Sequence, residues 1–188
     1  MKSPAELLRD RIVVLDGVIS DDTANMVIAQ LLFLEAEQPG SPIHIYLRSP
    51  GGHVSSTLAI RDTMDALSCP VHVRTTGSVG GVALLILAHG ARGHRTAIPH
   101  TTLTLSAIRS SDLSSSAVTA GNHAAADAAV VKMRKPFLAA ELERTESTVV
   151  DLLAADTGQR RETVLADMRA DRAFTVDEAV AYGLVDRR

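Results

Sequence analysis

Two glycine pairs, Gly51-Gly52 and Gly80-Gly81, are the residues whose type and spacing could serve chemistry. Each pair follows a predicted strand and precedes a predicted helix. Glycine lets the backbone approach a ligand closely, and the unpaired N–H groups at a helix start can face developing negative charge. Two such turns side by side could form an oxyanion hole. Taken singly, each is a tight turn that permits close helix packing, and spacing alone favours that plainer reading. Neither is a phosphate loop, because GxxxxGK followed by Ser or Thr is absent and GxGxxG fails at both turns.

Other polar residues carry weaker signals. Ser78 lies in Gly77-Ser78-Val79-Gly80, which does not satisfy the GxSxG of a nucleophile elbow. His53 after the first glycine turn, His89 in an apolar stretch and His100 after Pro99 read as satisfied surface or core histidines. Cys69, the single cysteine, precedes Pro70 and reads as a small apolar filler rather than a reactive thiol. No HExxH, CxxC or His/Cys cluster has ligand spacing, so neither metal nor cofactor is expected.

The elements that must position these residues alternate strand with helix, the pattern of an α/β domain with a largely parallel sheet. Arg11 to Leu15 reads as a buried strand. Asp21 or Asp22 would cap a helix in which Ala24, Val27, Ile28, Leu31, Leu32 and Leu34 recur near the helical period. Ile43, Ile45 and Leu47 alternate with His44, Tyr46 and Arg48, a strand that leads into Ser49-Pro50-Gly51-Gly52. A helix over Val54 to Leu67, a strand over Val71 to Thr76, an apolar helix opened by Gly77 to Gly81, and short strands at Thr96 to Ile98 and Thr102 to Leu105 follow. Val130 to Ala155 reads as a long helix interrupted or kinked at Pro136. Glu162 to Met168 and Val176 to Ala181 read as two short helices.

Composition bounds the function classes. The chain has 188 residues, 46% of them hydrophobic, enough for one domain with a sizeable core. Nineteen basic against 22 acidic residues give a formal charge of -3, which offers no footprint for nucleic acid or an anionic membrane. The most apolar window, Val79 to Ala91, is shorter than the ~20 residues of a membrane span. With no signal peptide at MKSPAELLRDR and a lone cysteine, a cytoplasmic location is expected.

Several motifs, in order, resemble the proteolytic subunit of the Clp protease, the ClpP family. They are YLRSPGG at Tyr46 to Gly52, IRDTM at Ile60 to Met64, GARG at Gly90 to Gly93 and Pro99-His100, then Thr157-Gly158-Gln159 and Glu178-Ala179 with Tyr182 to Asp186. The resemblance runs from about Leu7 to Asp186 and leaves Ser110 to Val150 poorly matched. It implies a ClpP/crotonase-like α/β spiral in one domain over 1–188, with a head at about 7–106 and 156–188 and a helical handle at about 107–155.

The family is a serine peptidase, and here the resemblance breaks at the chemistry. Counting without gaps from Ser49-Pro50-Gly51-Gly52, and back from Gly90-Ala91-Arg92-Gly93, puts Gly81 at the nucleophile position. Counting forward from Pro99-His100 puts Ser106 at the histidine position, and only Asp171 stands where the acid would be. A serine triad needs a hydroxyl, an imidazole to take its proton and a carboxylate to orient that imidazole. Asp171 alone then reads as a solvated or capping aspartate. The family's oxyanion donors are backbone N–H groups, and they transfer to Gly52 and Val82.

The resemblance therefore implies a catalytically inactive ClpP-like subunit of a Clp protease system, in a homo- or hetero-oligomeric ring with ClpP-type subunits and an AAA+ Clp unfoldase as a further partner. The alternatives are an active Clp peptidase with a rearranged nucleophile, and a crotonase-like acyl-thioester enzyme, since Gly77 to Gly81 also resembles that superfamily's GxxxGG oxyanion turn. Ser110 to Ala129 is small and polar, with five serines in Ser110 to Ser116, and offers too little apolar area to offset ordering its backbone. It is predicted to be mobile, so limited proteolysis is expected to cut first between Arg109 and Lys132, and a protease-resistant segment there would contradict this.

Overall fold

The computed structural model describes residues 3–113 and 128–188, with side chains in the second stretch from Phe137 onward. A parallel four-stranded sheet has the order β1 (Ile12–Asp16), β2 (Ile43–Arg48), β3 (Val71–Thr75), β5 (Arg95–Ala97). A second sheet pairs β4 (Ser78–Gly80) in parallel with β6 (Thr102–Thr104), and β6 antiparallel with β7 (Ala173–Phe174). In β1 and β2 alternate residues turn inward, with Val13, Leu15, Ile43, Ile45 and Leu47 fully buried.

Helices α2 (Asp21–Glu37), α3 (Val54–Ala66) and α4 (Ala83–His89) pack in succession behind the inward face of the sheet. Every residue of α4 from Ala83 to Ala88 is buried, which explains why that stretch shows no amphipathic period. The last turns of α5 (Ala128–Thr157) cover α4 through Val149, Val150 and Leu153, and α6 (Arg161–Arg169) and α7 (Val176–Tyr182) complete the chain.

Several expectations are corrected. Helix α2 is capped by Ser20, whose Oγ accepts from the Thr23 N–H at 3.2 Å, so Asp21 and Asp22 fall inside the first turn. The first strand starts one residue late because Arg11 is left-handed (φ 60°), which aims its guanidinium at the Leu34 and Ser41 carbonyls, both at 2.9 Å. Ser78 to Gly80 is strand β4, and the apolar helix begins only at Ala83. The strand expected at Thr96 to Ile98 is shifted one residue earlier. Helix α5 runs through Pro136 as one helix, since a proline deletes a single N–H···O=C bond and the flanking turns carry on. Two short elements went unforeseen: β7, and α1 (Pro4–Arg9), which starts with a Ser3/Glu6 capping box. Of Ser110 to Ala129, a 3-10 turn at Ser110–Asp112 and the start of α5 are described; the rest of that expectation lies outside the described residues.

Two buried arginines bind the layers together. Arg61 of α3 forks onto Asp156 near the end of α5, with only 7% and 14% of their side chains exposed, and His89 Nδ1 lies 3.5 Å from the same carboxylate. Burial pushes the Asp156 carboxyl up, but hydrogen bonds from His89 and Arg61 outweigh it and leave the value below the ordinary 3.8. A carboxylate depressed in the folded state stabilises the fold above its unfolded value, and that stability is lost as pH falls through the lowered one. Asp156→Asn strands a buried guanidinium. It is expected to cost about 3 kcal/mol in denaturant unfolding near neutrality and to flatten the acid limb of the stability–pH curve below about pH 4; wild-type stability would contradict this.

Candidate active-site cleft

The site is built from two strand-to-helix turns pressed backbone to backbone. Ser49, fully buried at the end of β2, shapes the first turn, its Oγ accepting from the Gly51 N–H at 3.1 Å and donating to the Gly51 carbonyl at 3.2 Å. The Gly80 N–H donates to the Ser49 carbonyl at 2.9 Å, and the Gly81 N–H to the Thr104 carbonyl at 3.0 Å, which locks the second turn against the first and against β6. A Cβ on Gly51 would lie 3.2 Å from the Gly80 carbonyl oxygen and 3.3 Å from the Val82 nitrogen. The two turns are thus in contact.

Gly52 carries φ 151° and forms a parallel bridge with Ile19, in which Ile19 N–H donates to Gly51 and His53 N–H donates to Ile19. In a parallel bridge the central residue's own N–H points away from its partner. Val82, the cap of α4, has no acceptor for its N–H among the described residues, and neither has Gly52. Both line a cleft of about 100 Å³ together with Gly81, Ser106, Arg109 and Asp112. Gly52, Gly81, Val82 and Ser106, four of the five residues singled out from the sequence, therefore meet in one place.

Asp171 does not line that cleft. Pairing of β6 with β7, continued by the Leu105 N–H donating to the Arg172 carbonyl at 2.9 Å, sets Ser106 and Asp171 at the same end of the strand pair. The Asp171 side chain is half-exposed on a left-handed residue (φ 47°) and faces Arg109 at 3.9 Å. Arg109 and Asp112 were missed by sequence reasoning, since Asp112 falls in the poorly matched stretch, Arg109 lies at its edge, and no motif marks either.

The remaining candidates are structural. His89 Nε2 lies 2.9 Å from Asp65, and His53 Nδ1 lies 3.7 Å from Asp21. Burial pushes the Cys69 thiol up, with Glu35 adding to the shift, so it is not a poised thiolate. Ser78 is exposed on β4, paired with Thr102. Among the described residues no group of His, Cys, Asp and Glu could hold a metal ion, and no helix is long and apolar enough to cross a membrane.

Chemically, the cleft offers backbone N–H groups to a carbonyl or oxyanion oxygen. Among the described residues that line it, none is a histidine or cysteine, and Ser106 is the single hydroxyl. Two sheets, helices packed in succession against the larger one, and a cleft lined by two glycine turns define an α/β protein. A family model described as Clp protease matches residues 1–187, and the chain belongs to the Clp protease family, with the α/β fold of ClpP.

Gly52 cannot be replaced without breaking this arrangement, because a Cβ there would fall 2.3 Å from the Ile19 carbonyl oxygen and 2.6 Å from the Ile19 nitrogen. Gly52→Ala is expected to lower unfolding stability by about 3 kcal/mol or more, since backbone must move on both sides. Unfolding midpoints equal to wild type would show that the bridge gives way at no cost.

Proposed function

We propose that this chain is a Clp-type ring subunit without peptidase activity of its own, acting structurally or as a regulator beside active ClpP-type subunits in a cytoplasmic system served by an AAA+ unfoldase. The observation that carries the reading is Gly81. It stands at the family's nucleophile position by gap-free counting from both flanks, and it lines the cleft with no side chain to attack with. Ser106 at the histidine position has no imidazole beside it among the described lining residues, so it cannot act as a base near neutral pH. Asp171, the acid equivalent, faces Arg109 instead.

Clp protease family members generally form oligomeric rings. A ring role for this chain is supported by helix α2, where Leu31 is buried while Met26, Leu32 and Phe33 are 52%, 52% and 48% exposed. Consecutive Leu31, Leu32 and Phe33 cannot face one core, so the outer pair is available to a neighbour. In this reading the chain is one domain with its head at about 7–106 and 156–188 and its handle at about 107–155.

A second reading, acyl-thioester chemistry, is favoured by the Gly52 and Val82 N–H groups, which lack acceptors among the described residues and need no serine to stabilise an enolate or oxyanion. A fluorophosphonate probe is expected to leave the protein unlabelled and an acyl-CoA panel unturned over, while sedimentation at micromolar concentration shows a species larger than a monomer. Stoichiometric labelling at any serine would overturn the reading, as would a monomer unmoved by an active ClpP. Restoring hydroxyl and imidazole by Gly81→Ser with Ser106→His is expected to yield little activity. A Cβ at residue 81 would sit at φ 52° and 3.2 Å from the Pro50 carbonyl oxygen, whereas triad geometry must hold to about half an ångström.

A further inference from the structure

The outward face of the four-stranded sheet carries a second constellation that the cleft does not use. His44 on β2 and His72 on β3 are register partners, their rings edge-on with centroids 5.0 Å apart. His94, whose carbonyl accepts from the Val73 N–H at 3.2 Å, stacks on His72 with centroids 3.8 Å apart and planes inclined by 2°. One rung along, the Arg74 guanidinium reaches the Tyr46 hydroxyl and Thr96 Oγ1, both at 3.4 Å. Arg187 joins from the C-terminal segment, which bridges to Thr96. Together they border a cavity of about 320 Å³, within the usual size range of small-molecule sites.

The charge in this cavity is one-sided. Three imidazoles and two guanidiniums line it against one carboxylate, that of Asp10. Elsewhere Arg48, Arg61, Arg95, Arg161, Arg169 and Arg172 each meet a carboxylate, but among the described residues neither Arg74 nor Arg187 is ion-paired. Cations gathered without counter-charge repel one another, and a bound anion removes that cost. Guanidinium and imidazole N–H groups are also donors suited to oxyanions.

We propose that this cavity binds a small phosphate-bearing molecule, its oxygens held by Arg74, Arg187 and the histidine row. Phosphate fits better than a carboxylate because donors converge from β2, from β3, from the turn before β5 and from the C-terminal segment. That is more than two carboxylate oxygens can use, and a phosphate brings more oxygens and nearly twice the charge. The Asp10 carboxylate lines the cavity at the start of β1 and Tyr46 lines it from β2, while the Arg11 guanidinium is bound to the Pro42, Leu34 and Ser41 carbonyls and acts on His44 only through its charge. Burial, then the charges of Arg74, His94 and Arg11, hold His44 below the ordinary imidazole value; burial, His94, His44 and Arg187 do the same to His72. An anion reverses that penalty, so binding takes up protons and tightens as pH falls.

Titration calorimetry of the full chain with pyrophosphate at low salt tests this independently of the cleft. Binding is expected to be about tenfold or more tighter at about pH 6 than at about pH 8. Arg74→Gln and His72→Gln alter side chains on the outward face and are each expected to weaken it by about tenfold, while Arg160→Gln, an exposed arginine elsewhere, leaves it unchanged. No measurable binding at the lower pH, or equal affinity in both cavity variants, overturns the proposal. So does binding of hexaglutamate in place of pyrophosphate, which would assign the face to an acidic protein segment.

Discussion

The hydrogen bond from the Gly80 N–H to the Ser49 carbonyl, 2.9 Å long, holds one strand-to-helix turn against another, and the rest of the site follows from that contact. Backbones approach this closely only where no Cβ intervenes, so Gly51, whose Cβ would lie 3.2 Å from the Gly80 carbonyl oxygen and 3.3 Å from the Val82 nitrogen, is required by packing before any question of chemistry arises. The first turn is in turn clamped from its other side by Ile19, which both donates to Gly51 and accepts from His53. With each neighbour fixed, the N–H groups of Gly52 and Val82 are left facing the cleft because no ladder position remains for them.

Electrostatics fastens the outer layers onto this centre. Arg95 is buried at the start of β5, where its guanidinium donates to the Ala88 carbonyl at 2.9 Å, the Asp156 carbonyl at 3.2 Å and both Asp186 oxygens. One side chain thereby satisfies terminal carbonyls of α4 and α5, which have no intrahelical partner, and neutralises the segment after α7. Arg61 and Asp156 repeat the device one layer away. Such pairs add little net stability over an apolar alternative, but once buried neither partner can be removed singly. They fix where α5 leaves the body of the protein.

Most strands and helices were legible because their burial periods are clean: β2 alternates strictly, and α2 buries Ala24, Val27, Leu31 and Leu34. Elements of two or three residues, such as β4 and β7, leave no period to read. The start of β1 depended on the left-handed Arg11, whose conformation is rewarded by carbonyls that arrive from more than twenty residues away. At the site, the glycine turns were visible and Ser106 could be placed by counting. Arg109 and Asp112 could not, because a loop that closes over a cleft is positioned by tertiary contacts and carries no local pattern. The histidine row was equally hidden. His44, His72 and His94 are unremarkable singly, and only strand register sets them side by side.

The division between what the cleft keeps and what it lacks has a physical basis. Its N–H donors belong to residues whose backbone is fixed by the packing of the two turns, so any sequence that keeps the fold keeps them. The side chains at the cleft are held by nothing of the kind: Gly81 has none, Ser106 lines the cleft with a single hydroxyl, and the buried core of α4 is made by Ala83 to Ala88 without them. The absence of a hydroxyl at residue 81 and an imidazole at residue 106 therefore costs the architecture almost nothing on the proposed reading. On the proposed reading, the surfaces that a ring needs, including the outer side of α2, are separate from the residues that a peptidase needs. The two can then change independently within one fold, which is what allows a subunit to remain part of an assembly whose chemistry it does not perform.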